Sequence, residues 1–149
     1  MIFLDTNYFL RYLVQPETPE SEEMARMARS VFEAVAQGLE QITTTEVVLH
    51  EVAYILASKA HYNQTVEDIT RGLRLLLGMP GFRLPPGAKR RYLRALDVWD
   101  SHPRLGLADA IIAASVEEQD IPLATFDSHF TSIPSIRLWP PSSENGSTP

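Results

Sequence analysis

Met1-Ile2-Phe3-Leu4-Asp5-Thr6-Asn7 is the stretch on which the reading of this chain turns. Ile2, Phe3 and Leu4 are strand formers with no polar residue between them, and three polar side chains end the run. A strand apolar on both faces belongs inside a sheet covered on both sides. A carboxylate at its C-terminal end stands where open α/β sheets bind ligands. The useful question is then which other acids meet Asp5 at that edge.

Working outward, a short helix is expected through Phe9, Leu10 and Leu13. Thr18-Pro19 with Glu20, Glu22 and Glu23 marks a second helix start, and Gly38 its stop. Met24, Met27, Ala28, Val31, Phe32 and Val35 keep helical spacing, and the methionines fit either core filling or an interface. Gln41-Ile42-Thr43 ends a second strand. Thr43 and Glu46 have capping-box spacing for a helix whose stripe is Val48, Val52, Ile55 and Leu56. Glu51 falls on that stripe, where an acid is costly unless paired or bound to a cation. Glu46 is explained as a cap, whereas Glu51 has no such explanation.

A further helix should turn Val66, Ile69, Leu73 and Leu76 or Leu77 inward and end at Gly78, Pro80 and Gly81. Phe82-Arg83-Leu84 is a brief strand. The next helix, about Gly87 to Asp100, is expected to bury Leu93, Leu96 and Trp99. Leu105 to Glu118 forms another, with Ala108, Ile111, Ile112, Ser115 and Val116 packed. Asp109, in its first turns, suits either a helix-dipole partner or a site acid. Pro122-Leu123-Ala124-Thr125 is a strand followed by Phe126-Asp127. Asp127 thus repeats the pattern of Asp5, or caps a turn. Ile136-Arg137-Leu138 reads as an edge strand. The domain is expected over 1–139 and a disordered tail over 140–149.

A chain of 149 residues, 44% hydrophobic, has the material for one domain with a real core. With no cysteines, disulfides and thiolate metal sites are excluded, which fits a reducing cytoplasm. No signal peptide or membrane span is expected, since the apolar start is short and Asp5 interrupts it. The net charge of −6 argues against a simple nucleic-acid binder. Between Arg83 and Arg104, however, six basic residues face two acids, a local excess of +4. Arg90, Arg91 and Arg94 are either a solvated face or contacts for phosphates. His50, His61, His102 and His129 show no paired-ligand spacing.

Strands alternating with helices imply a parallel sheet whose strand ends share one edge. Asp5 and Asp127 lie there, and Glu51 and Asp109 are within reach of the same crevice. Four carboxylates this close repel without a cation, and all-oxygen ligation suits Mg²⁺ or Mn²⁺. Such an ion supports phosphodiester hydrolysis.

Leu4-Asp5-Thr6-Asn7, Val48-Leu49-His50-Glu51-Val52, Gly106-Leu107-Ala108-Asp109-Ala110 and Thr125-Phe126-Asp127 resemble the acidic motifs of PIN domains, most closely those of VapC-type toxins. The resemblance runs from Met1 to about Leu138. It implies an α/β PIN-like fold, with a central parallel sheet of about five short strands and helices on both faces. It also implies a metal-dependent endoribonuclease in which Asp5, Glu51, Asp109 and Asp127 hold Mg²⁺ or Mn²⁺. Asn7 and Thr125 match supporting positions. A homodimer and a VapB-type antitoxin are the implied partners, with RNA as substrate. Three other readings stay open: an RNA-processing PIN nuclease without antitoxin, a non-catalytic PIN-like binding module, and a haloacid-dehalogenase-like phosphatase. The last usually wants an acid two residues after its nucleophile, where this chain has Asn7.

Overall fold

The computed structural model describes residues 1–140. The expected tail, but for Pro140, lies outside the described residues. Five parallel strands form the sheet: β1 (Ile2–Leu4), β2 (Ile42–Thr43), β3 (Phe82–Arg83), β4 (Leu123–Ala124) and β5 (Leu138–Trp139). Their order is β3-β2-β1-β4-β5. Phe3 is the centre of the register, opposite Thr43 on one side and Leu123 on the other.

Six helices connect the strands: α1 (Thr6–Leu13), α2 (Pro19–Ala36), α3 (Glu46–Ala57), α4 (Val66–Leu77), α5 (Ala88–Ser101) and α6 (Leu107–Gln119). The first four form one group and α5 and α6 another, with α3 and α6 meeting between them. Right-handed crossovers put the two groups on opposite faces, because the chain steps outward through β2 and β3 and then returns past β1 to β4. That double cover is why Ile2, Phe3 and Leu4 are all buried. Phe9 of α1 joins the layers, with its ring 5.6 Å from Phe32 of α2 and 6.0 Å from Phe82 of β3. Such aromatic pairs contribute roughly 0.5–1.5 kcal/mol each beyond their buried area. The α2 cap forms as the sequence suggests: Thr18 Oγ1 accepts from the Ser21 amide and Pro19 takes the first helical position. Gly38, with φ of 71°, adopts the left-handed turn that ends the segment.

The structure corrects several expectations. The cap of α3 is Thr45, whose hydroxyl accepts from the Val48 amide, and not Thr43. Thr43 is still in β2, and Thr44 Oγ1 is spent on the Leu4 carbonyl. Val66 points outward, while Ile69 is buried and, of Leu76 and Leu77, Leu76 is the one that faces inward. β5 is Leu138–Trp139, shifted two residues from the expected start. In α5 the expected face is the wrong one: Leu93, Leu96 and Trp99 are 57%, 42% and 40% exposed, while Arg91, Ala95 and Val98 are buried. Arg91 sets that rotation by reaching the Pro85 and Pro86 carbonyls. Among the described residues no helix is long and apolar enough to cross a membrane.

Candidate functional site

The chain reverses its direction across the sheet between β1 and β4, the position at which open α/β sheets form a crevice at their strand ends. Pairing runs up to the edge, since the Asp5 amide donates to the Ala124 carbonyl at 3.1 Å. Asp5 itself caps α1. Its Oδ1 accepts from the Thr6 amide and its Oδ2 from Thr125 Oγ1, both at 2.6 Å. The second bond crosses the switch, because Thr125 follows β4. Thr125 Oγ1 also accepts from the Asp127 amide at 3.0 Å, so one hydroxyl ties both strand-end acids together.

Glu51 enters from the second turn of α3, where Thr6 Oγ1 donates to its Oε2 at 2.7 Å. Asp109 stands in the first turn of α6. Asp127 caps a short 3₁₀ turn, Ser128–Ser132, by accepting from the His129 amide at 2.9 Å. Below the site Tyr8 stacks on Phe126 with centroids 4.5 Å apart and planes within 2°, fixing α1 against the loop after β4.

The fields of the four acids link them through Asp109, which couples to Asp5, Glu51 and Asp127. The Asp5 carboxyl is pushed up to about 6, first by burial and further by Asp109 and Glu51, against the pull of the Thr125 and Thr6 bonds. Asp109 is raised by burial, then by Asp127 and Glu51, while the Gly106 amide and His129 draw it down. Ligand atoms of Asp109, Asp127 and His129 lie within 4.8 Å of one another. Mutual repulsion among hard oxygen donors is relieved by a divalent cation, so these residues fit one. Asp109 and Asp127 would hold it, with the His129 nitrogen within reach of both.

Two residues escaped the sequence reading. Thr6 holds Glu51, whereas its neighbour Asn7 is half-buried in the first turn of α1. His129 lacks paired spacing with any other histidine, and its signal was instead its place two residues after Asp127, where a capped turn brings ring and carboxylate to 3.2 Å.

The basic stretch is largely neutralised. Arg90 pairs with Glu118, and Arg94 bonds both oxygens of Glu117 at 2.8 and 2.9 Å. Arg91 is buried between Glu118 and the Pro86 carbonyl. A phosphate contact from Arg91 would require breaking that clamp. Arg90 and Arg94 are exposed, and their pairs can exchange at small cost.

The sequence model of the PIN domain matches residues 2–135 of this chain. No curated protein sequence matches it. Among solved structures, one similar chain comes from the VapBC2 complex of Rickettsia felis bound to a promoter DNA fragment. It is 19% identical, with a TM-score of 0.63, over 93% of this chain and 97% of that one. VapC20 of Mycobacterium tuberculosis, a sarcin-ricin loop cleaving toxin, is 15% identical with a TM-score of 0.67, over 89% and 94%. FitAcB of Neisseria gonorrhoeae is 16% identical with a TM-score of 0.59, over 93% and 96%. At such identities the likeness speaks for the fold alone.

Proposed function

The chain belongs to the PIN-domain family, and on that premise we propose that it is a metal-dependent endoribonuclease. One observation carries the reading: the Thr125 hydroxyl, donating to Asp5 and accepting from the Asp127 amide, ties two strand-end acids across the sheet's switch point, with Glu51 and Asp109 close enough to raise Asp5. Asp5, Glu51, Asp109 and Asp127 are the proposed metal-site acids, with Mg²⁺ or Mn²⁺ as the ion. When bound, such an ion polarises the phosphoryl oxygen and stabilises the leaving group. The residues of the chain orient the rest. Thr6 and Thr125 hold Glu51 and Asp5 by hydroxyl donation, so each carboxylate keeps a free oxygen lone pair aimed by a fixed partner. The nuclease domain is proposed to span residues 1–139, because the family match runs to 135 and Trp139 closes the sheet.

Purified protein should cut single-stranded or looped RNA with Mg²⁺ or Mn²⁺, stop in EDTA, and leave 5′-phosphate and 3′-hydroxyl ends. Products ending in 2′,3′-cyclic phosphate would overturn hydrolysis, since they come from attack by the RNA's own 2′-hydroxyl.

The finer reading is a toxin of the VapC type, paired with a VapB-type antitoxin and acting as a homodimer. It is supported by the fold shared with chains of toxin–antitoxin complexes, and by outward apolar residues on α4 and α5, among them Val66, Leu75, Leu93 and Leu96. Expression alone should arrest growth, and a small co-expressed neighbouring gene product should relieve it. Harmless expression of a protein that cuts RNA would favour a processing nuclease.

A further inference from the structure

A cleft of about 490 Å³ lies between the turn joining α5 to α6 and the 3₁₀ turn after β4. His102, Pro103, Arg104 and Leu105 form one side of it, and Ser128, His129 and Ser132 the other. It shares a wall with the acid cluster, because the His129 ring that lines it also stands 3.2 Å from Asp127 Oδ1. The α5–α6 turn is held in place. Trp99 Nε1 donates to the Leu105 carbonyl at 2.9 Å, and the Leu105 amide donates to His102 at 3.0 Å.

The cleft carries a cation close to the acid cluster. The chain is acidic, and four of its acids lie at the strand-end edge beside this cleft. Arg90, Arg91 and Arg94 are held by Glu117 and Glu118. Arg104 pairs with no acid among the described residues, is exposed, and lines the cleft beside the site. Leu105 is buried and gives the cleft an apolar floor next to its hydroxyl and imidazole groups. Pockets of about 300–1,000 Å³ take small organic ligands, and one nucleotide falls within that range. An unstacked base over an apolar floor, with its phosphate on a cation, is how single-stranded RNA is held.

We propose that this cleft is a subsite for one nucleotide of a single-stranded RNA beside the scissile bond, with Arg104 holding its phosphate. The assignment rests on the ribonuclease reading of the neighbouring acids, and its test separates the two. In EDTA, where the strand stays intact, binding of a short fluorescein-labelled single-stranded RNA of mixed sequence is followed by anisotropy over a range of salt. Arg104→Ala should weaken binding about 5–20-fold and lower the salt slope by about 0.7, the value of one phosphate contact on a single strand. Arg104→Lys should keep the slope. Ser132→Trp, which fills the cleft from its exposed rim, should weaken binding to a similar degree with the melting temperature unchanged. An Arg104→Ala affinity within twofold of the parent, with the same slope, overturns the subsite. An equal loss on duplex RNA overturns its single-strand character. A parent that binds through Arg104 but cuts no RNA with Mg²⁺ or Mn²⁺ sinks the nuclease reading, and with it the place beside a scissile bond, and leaves a single-strand binding cleft. A parent that cuts RNA with a kcat/KM indifferent to Arg104→Ala sinks the subsite alone.

Discussion

At the scale of single residues, Asp5 carries two opposed demands. Its hydrogen bonds to Thr6 and Thr125 favour the carboxylate, while burial and the neighbouring acids disfavour it, and burial wins. The folded protein therefore binds a proton between the ordinary 3.8 and about 6 that the unfolded chain does not. The stability this contributes is complete below the lower value and is lost as pH rises through the upper one. The shift corresponds to at most about 3 kcal/mol. Asp5→Asn keeps the shape and has no charge to bury. In EDTA at pH 7.5 it should melt above the parent, and the gap should close by about pH 4; it should also be inactive. A mutant that melts below the parent at pH 7.5 would mean that the hydrogen bonds of Asp5 outweigh its charge. Thr6→Val tests the partner of Glu51. If Glu51 holds the proposed metal, loss of its orienting hydroxyl should cut activity or metal affinity about 10–100-fold, read by RNA cleavage at fixed Mn²⁺.

At the scale of elements, α5 shows how one buried side chain sets a helix's rotation. Arg91 is nearly covered and bonds two carbonyls and Glu118, and on this rotation Leu93, Leu96 and Trp99 turn outward. Arg91→Ala leaves those acceptors short of a charged donor and should cost about 2–3 kcal/mol in urea unfolding. Arg90→Ala and Arg94→Ala remove exposed pairs and should cost under about 1 kcal/mol each. If Arg90 and Arg94 also touch phosphate, the double variant should lower the salt slope of RNA binding. The entry to β3 is a second such point. A Cβ on Gly81 would sit 2.1 Å from the Glu40 carbonyl oxygen and 3.0 Å from that of Val35. Gly81→Ala should therefore destabilise by about 1–3 kcal/mol or more, through overpacking where β3 joins β2.

At the scale of the whole molecule, the strand order and the acids form one design. The chain leaves β1 toward one sheet edge and returns to the other, so Asp5 and Thr125 meet although they are 120 positions apart. A cation held by groups from β1, α3, α6 and the loop after β4 would tie four segments together. Binding to the native state alone stabilises by mass action, about 2.7 kcal/mol at a hundredfold excess over Kd. Mg²⁺ or Mn²⁺ should raise the parent's melting temperature with concentration and raise that of Asp5→Asn far less. A flat response in the parent would count against a shared cation. A chain ending at Pro140 should keep the parent's melting temperature if the domain closes at residue 139.

The sequence by itself determined the elements and the family. Short apolar runs ending in acids, Thr18-Pro19, and an acid on the α3 stripe are local signals, and local sterics and burial decide them. The positions of Asp5, Glu51, Asp109 and Asp127 were readable for that reason, as features of strand ends and helix turns. Only the tertiary structure decided which groups answer one another. Thr6 was one of several polar residues after Asp5 until α3 delivered Glu51 to its hydroxyl. Thr43 had the spacing of a cap, but a strand pairing with β1 claimed it and moved the cap to Thr45. The leucines of α5 were the stronger apolar signal, yet the helix turns Arg91 inward to the Pro85 and Pro86 carbonyls, because a covered donor left unpaired costs more than a half-exposed leucine. His129 and Arg104 came together across a cleft from segments with no shared pattern. Contacts between such distant segments depend on chain topology, and periodicity within a segment carries no record of them.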